Sequence, residues 1–239
     1  MSATFYQLLS ERSIAVSEAQ REQFETYYRL LVSWNEKMNL TGITEREQVY
    51  IKHFYDSVSL SFFVPLAAIK TMADIGSGAG FPGIPLKILF PHLRLTIVDS
   101  LNKRIQFLAH LTDELGLEGV DCVHARAEDA GRNPSYRDRF DLVTARAVAR
   151  LAVLNEFCLP FVKKGGVFVA MKGSNPQTEL AEAAFSLRQL QSMLESSVEF
   201  VLPVEQAARH LILIRKTAPT PKAYPRKAGV PLKSPLIGS

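Results

Sequence analysis

The sequence predicts a doubly wound α/β fold: a mostly parallel sheet with an antiparallel edge strand, an N-terminal helical extension before it and a basic tail after it. Three observations carry this expectation. From about Met72 onward, short apolar runs alternate with amphipathic stretches, the pattern of strands joined by crossover helices. A glycine-rich turn separates the first apolar run from the stretch that follows it, where tight backbone turns and free helix-start N–H groups are needed. Two β-patterned runs close the series with no helix between them, and a short connection makes such a pair antiparallel.

Taken in order, residues 1–64 read as the helical extension. Ser17 can cap a helix in which Phe24, Tyr27, Tyr28, Leu31 and Trp34 recur at three- and four-residue spacings. A second helix is expected after Thr44. Residues 65–216 then read as a Rossmann-like core. TMADI precedes PLKILF, and LTIVD precedes LNKRIQFLAHLTDELG. VDCVHA follows, FDLVTA precedes VARLAVLNEFCL, and GGVFVAMK precedes a helix over TELAEAAFSLRQLQSMLE. VEFVLPV and RHLILIRK form the closing pair. Residues 217–239 hold Pro219, Pro221, Pro225, Pro231 and Pro235, a density that predicts an extended arm with no helix or ladder of its own.

The chain has 239 residues, 47% of them hydrophobic, enough to bury a core without disulfide or metal staples. Cys122 and Cys158 form no CxxC and have no companion histidine cluster, so neither a disulfide framework nor a metal site is expected. The longest apolar run, Leu60 to Ile69, is broken by Ser61 and Pro65 and is too short to span a bilayer. The N-terminus has no basic segment ahead of an apolar one. A soluble, cytoplasmic protein without membrane attachment is expected, acting as a monomer.

The formal charge of +4 is unevenly placed. From Arg215 to the end there are six basic residues and no acid, leaving 22 basic against 24 acidic residues in the rest. A basic tail on a faintly acidic body points to a polyanionic partner, most simply nucleic-acid phosphate, although such tails also serve solubility alone.

The most specific segment is Asp74-Ile75-Gly76-Ser77-Gly78-Ala79-Gly80-Phe81-Pro82-Gly83. Asp99 ends the second strand, 23 residues after Gly76, where a carboxylate can accept both hydroxyls of a ribose. The order strand, glycines, helix, strand, acid indicates a nucleoside cofactor. A literal GxGxxG at Gly78, Gly80 and Gly83 keeps a dinucleotide as the rival. Against it, Pro82 and Pro85 remove N–H groups that a pyrophosphate would use. Asp74 would also repel a pyrophosphate and attract a cation. S-adenosylmethionine carries a sulfonium and an ammonium and no phosphate, so it is the expected cofactor, with Asp74, Gly76 and Gly78 at its site.

Arg146 ends the fourth strand at the edge where such sheets bind ligands, after apolar residues and with no nearby acid that explains it. Lys172 ends the fifth strand before Gly173 and can meet a nucleic-acid phosphate. Both are candidate positioning groups. His53 reads as a packing histidine that Asp56 could orient. Lys163, Lys164, Arg209, His210, Lys222, Tyr224, Arg226 and Lys227 are candidate phosphate and stacking contacts.

The string DIGSGAGFPGIPLKI, followed by VDSLNKRIQFL, RAED, TARAVAR, MKG, RHL and a terminal APTPKAYPRKAGVP, resembles the glucose-inhibited division protein B family. NLT at 39–41 and HFYDS at 53–57 extend the likeness over nearly the whole chain. These are bacterial N7-guanine methyltransferases of small-subunit (16S) ribosomal RNA, with a class I methyltransferase sheet. The resemblance implies that Gly76, Phe81, Asp99, Ser100, Leu101, Ala127, Glu128 and Arg146 line the cofactor site, and that 16S ribosomal RNA or the small subunit is the partner. Guanine N7 carries no proton, so this chemistry needs no general base, and the sequence offers no catalytic dyad. A small-molecule methyltransferase and an RNA-binding assembly factor without turnover are the alternatives.

Overall fold

The computed structural model describes residues 2–173 and 176–238. One seven-stranded sheet organises it: β1 (Thr71–Ile75), β2 (Arg94–Asp99), β3 (Val120–His124), β4 (Phe140–Arg146), β5 (Val162–Lys172), β6 (Ser192–Leu202) and β7 (Ala207–Lys216). Their spatial order is β3-β2-β1-β4-β5-β7-β6. The first five strands are parallel, and β7 runs antiparallel to both β5 and β6. The order reverses beside β1, so the ends of β1 and β4 form the crevice where doubly wound sheets bind ligands.

Strand periodicity sends alternate side chains to opposite faces. Met72, Leu95, Ile97, Leu142, Val167, Val169, Leu211 and Leu213 enter one hydrophobic core. Ala73, Ile75, Val98, Val143, Phe168, Ala170, Ile212 and Ile214 enter the other. The first core is covered by α1 (Ala3–Glu11), α2 (Glu18–Met38), α3 (Arg46–Val49), a π-helical turn (Tyr50–Tyr55), α4 (Asp56–Val58), α5 (Gly83–Leu89) and α6 (Asn102–Glu114). The second lies under α7 (Ala127–Ala130), α8 (Leu151–Cys158) and α9 (Gln177–Gln189), with Tyr224 and Leu236 of the C-terminal segment packed into it. The two ends of the chain therefore cover opposite faces of the sheet.

The local starts follow the sequence. Ser17 caps α2 through a capping box with Gln20, and Phe24, Tyr27 and Leu31 point inward, fully buried, each contributing roughly 1.5–3 kcal/mol by leaving water. Cys158 is buried and Cys122 half-buried in β3, where burial pushes its thiol up to about 11. Among the described residues, no helix is long and apolar enough to cross a membrane.

Two expectations are corrected. The helix expected through Glu195 ends at Gln189. Leu190 is buried, Gln191 turns the chain at φ +53°, and Ser192 to Glu195 instead open β6, which pairs with β7 along its length. The tail is not an extended arm. It lies on the body and forms a short helix, α10 (Val230–Lys233), with Pro231 in its first turn, a position where a missing N–H costs nothing. Arg137 donates to the Thr220, Pro221 and Tyr224 carbonyls, so the carbonyls freed by the prolines find partners on the body.

Candidate active site

The turn after β1 holds the cofactor candidates. Gly76 sits at φ +71° and donates its N–H to the Val98 carbonyl at 2.8 Å. A Cβ at this position would stand 2.8 Å from Val148 Cγ2, so only glycine leaves the space open. At Gly83 the demand comes from Asp74, whose Oδ2 lies 2.7 Å from where a Cβ would be. Tyr27 reaches the same turn from α2 and donates to the Ala79 carbonyl at 2.6 Å.

Asp74 is fully buried. Its Oδ2 accepts from Ser77 Oγ at 2.6 Å and from the Gly83 N–H at 2.8 Å, while Oδ1 has no partner among the described residues. Burial raises its pKa to about 6, against the pull of these two donors. A buried carboxylate with one oxygen unclaimed fits a cationic group. Asp99 is nearly as buried and accepts from the Gly78 and Leu101 N–H groups at 3.1 and 2.9 Å. Gly76, Ser100, Ala127 and Glu128 line a cavity of about 190 Å³ beside these acids. Leu101 is exposed at the N-cap of α6. Glu128 accepts from the Gly229 N–H at 2.7 Å. This chemistry fits S-adenosylmethionine: a buried carboxylate with an unclaimed oxygen near its charge, an acid at the end of β2 for a ribose and a glycine cradle.

A second cavity, of about 520 Å³, opens on the other side of the β4 exit. Lys52, His53, Asp56, Arg146, Lys172, Arg209 and His210 line it. Asp56 is the node. Its Oδ2 accepts from Arg146 Nη1 at 2.9 Å and its Oδ1 from Arg209 Nε at 3.1 Å. Arg146 Nη1 also donates to the Lys52 carbonyl in the π-helical turn, at 3.2 Å. The sequence expectation that no acid explains Arg146 is thus corrected: the acid comes from 90 residues upstream. Phe81 packs beneath the Arg146 side, stacked on Tyr27 at 5.5 Å and on His53 at 4.7 Å between centroids, with the Arg146 guanidinium 4.8 Å from its ring. His53 is held by Thr41 Oγ1 at its Nε2, and not by Asp56. Burial and the Arg146 charge lower its pKa to about 3. Lys172 pairs with Glu179 at 2.7 Å and donates to the Ala149 carbonyl. His210 is buried, and its Nδ1 has no partner among the described residues.

Arg146, Lys172, Arg209 and His210, scattered in sequence, therefore share one cavity. The other basic candidates lie elsewhere. Lys163 pairs with Asp141 at the opposite end of β5, and Lys164 is exposed beside it, roughly 25–30 Å of strand away from Lys172. Lys222 and Lys227 are exposed on the tail. The Tyr224 hydroxyl donates to Gln189, and Arg226 is paired at 2.6 Å with the fully buried Glu156.

The sequence profile of the GidB family, rRNA small subunit methyltransferase G, matches residues 20–212. The chain belongs to the GidB family. It is 55% identical over 233 residues to the ribosomal RNA small subunit methyltransferase G of Brevibacillus brevis, covering 98% of both chains. It is 54% identical over 234 residues to the Bacillus velezensis protein of that name, again covering 98% of both. Its fold is similar to that of the O-methyltransferase TomG from Streptomyces achromogenes, solved in complex with SAM (TM-score 0.58, 16% identity, 90% of this chain and 95% of that one). A putative O-methyltransferase from Klebsiella pneumoniae is similar to the same degree (TM-score 0.58, 14% identity, 91% and 97%). The GidB chain thus carries a class I methyltransferase sheet. Sequence reasoning passed over Asp56 as a site residue; its only signal was the HFYDS string.

Proposed function

We propose that this chain transfers a methyl group from S-adenosylmethionine to N7 of one guanine in small-subunit (16S) ribosomal RNA. The observation that supports this reading is the pair of cavities divided by one short turn: Val148 lines the smaller, and Arg146 and Ala147 line the larger. A nucleoside cofactor on the Gly76 side and a base on the Arg146 side would meet across that turn. The names of the GidB relatives supply the ribosomal RNA; the guanine and its N7 rest on the motifs quoted above.

Bound S-adenosylmethionine supplies a methyl group activated by a sulfonium. The chain's residues bind and orient. Asp74 and Asp99 hold the cofactor's charge and ribose, with Gly76, Gly78, Phe81, Ser100, Leu101, Ala127 and Glu128 around them. Arg146, fixed by Asp56 and the Lys52 carbonyl, aligns the base, and Lys172, Arg209 and His210 meet guanine O6 or phosphate. No group need remove a proton, because N7 has none, and His53 is neutral at working pH. Alignment and exclusion of water carry the rate. In A-form RNA the N7 edge is closed in a deep groove, so the target stands in a loop or is flipped out. Lys222, Lys227, Lys163 and Lys164 are outer contacts to the RNA, while Tyr224 and Arg226 hold the tail through Gln189 and Glu156. One chain forms both cavities, consistent with a monomer acting in the cytoplasm.

The test is transfer of labelled methyl from S-adenosylmethionine to undermodified small-subunit particles and to RNA extracted from them, followed by digestion to nucleosides. Label in 7-methylguanosine is expected. Label in another nucleoside, or none while the cofactor binds, would overturn the reading.

A further inference from the structure

The smaller cavity has a wall that comes from the far end of the chain. Beside Ile75, Val98, Val148 and Phe157 it is lined by Leu232 of α10. We propose that the C-terminal segment completes the adenine-binding part of the cofactor site, with Leu232 as the side chain that covers the base. This rests on the cofactor reading above and adds to it a determinant outside the methyltransferase core.

Three features carry it. First, Leu232 is 55% exposed although it belongs to a segment whose other leucine, Leu236, is 8% exposed and sits in the core. A large apolar side chain left in water at the rim of an apolar cavity is covered when a flat apolar ligand enters. Val148, 37% exposed, lines the same cavity. Second, the cavity of about 190 Å³ lies below the ~300–1,000 Å³ of a whole ligand site, so it suits one moiety. It opens beside Gly76 and Ser100, which follows the ribose candidate Asp99. Third, the wall is held on both sides of Leu232. Arg226 binds the buried Glu156 through its backbone N–H, Nε and Nη2, and that same guanidinium donates to the Ser234 carbonyl. The Gly229 N–H binds Glu128 at 2.7 Å, and Arg132 holds the Pro225 carbonyl. A wall fixed before binding loses little entropy when the ligand arrives.

Calorimetric titration of the full chain with S-adenosylmethionine and with S-adenosylhomocysteine tests this, using Leu232→Ala, Leu232→Met and Ile237→Ala. Ile237 is also exposed on the tail, at 41%, but does not line the cavity. Leu232→Ala should weaken both ligands by the same factor, roughly five- to tenfold, because both carry the adenosine and lose the same buried apolar area. Leu232→Met should stay within about twofold, and Ile237→Ala should match the wild type. The ligand-free melting temperature of Leu232→Ala should equal that of the wild type, since an exposed side chain supports little packing. Equal affinities for wild type and Leu232→Ala would overturn the proposal and leave the cofactor reading standing, as would an equal loss in Ile237→Ala. A wild-type chain that binds neither ligand would overturn both.

Discussion

Asp56 holds Arg146 at 2.9 Å across the boundary between the N-terminal helices and the end of β4. The same carboxylate holds Arg209 of β7 at 3.1 Å. One buried acid thus sets two cations from two strand ends in one cavity, and the helical extension becomes part of that cavity, the proposed substrate side. Replacing Asp56 with alanine releases both. Turnover per bound substrate should fall roughly ten- to a hundredfold through misalignment, while the affinity for S-adenosylmethionine stays within about twofold. Steady-state methylation alongside calorimetry checks this. A loss of cofactor affinity as large as the loss of turnover would remove Asp56 from the substrate side.

Gly76 and Gly78 both lie at positive φ, +71° and +62°, but a Cβ at 76 meets Val148 at 2.8 Å and one at 78 meets nothing within 4 Å. Alanine at either position should cost about 1–2 kcal/mol of stability. Gly76→Ala should in addition lower cofactor affinity more than tenfold by closing the smaller cavity, and by clearly more than Gly78→Ala does. Chemical denaturation and ligand titration of the two variants separate strain from occlusion.

Burial raises the Asp74 pKa from 3.8 to about 6. The folded chain therefore holds this proton more tightly than the unfolded one. The stability so gained is full below the unfolded value and is lost as pH rises through about 6. Cofactor binding runs the opposite way, because the ionised carboxylate attracts a cation. Affinity should rise between about pH 5 and pH 7 and then level off. Asp74→Asn should bind more weakly and lose this pH dependence, which titration across the range reads directly.

Arg226 neutralises Glu156, a carboxylate with no exposed surface. Arg226→Ala leaves a buried, uncompensated charge and should cost roughly 3–5 kcal/mol, lowering the melting temperature by roughly 10 °C. The double change Glu156→Leu with Arg226→Met should recover most of that loss. If Arg226→Ala melts like the wild type, the tail does not depend on this ion pair.

The succession of strands and helices along the chain and the glycine turn were legible because they rest on local signals: alternation with a period of two, and glycines between a strand and a helix. Asp99 was legible for the same reason, as an acid at a strand end. The partners of Arg146 were not. Asp56 lies 90 residues before it, in a segment whose helical periodicity says nothing of which face meets β4. The tail was misread because proline density reports what a segment cannot build alone. It carries no information about carbonyl acceptors offered to Arg132 and Arg137, or about a buried Glu156 awaiting Arg226. The end of α9 was missed because Met193 and Leu194 suit a helix face as well as an edge strand, and pairing with β7 decided between them.

The measurement closest to the central claim is strand cleavage selective for 7-methylguanosine, applied to 16S RNA from undermodified small-subunit particles incubated with this chain and S-adenosylmethionine. One new cleavage position, absent without cofactor and absent with Asp74→Asn, is the predicted result. Methyl label in the RNA without any cleavable position would contradict N7 as the acceptor, and no label in particles or extracted RNA, with the cofactor bound, would contradict the assignment of ribosomal RNA as the substrate.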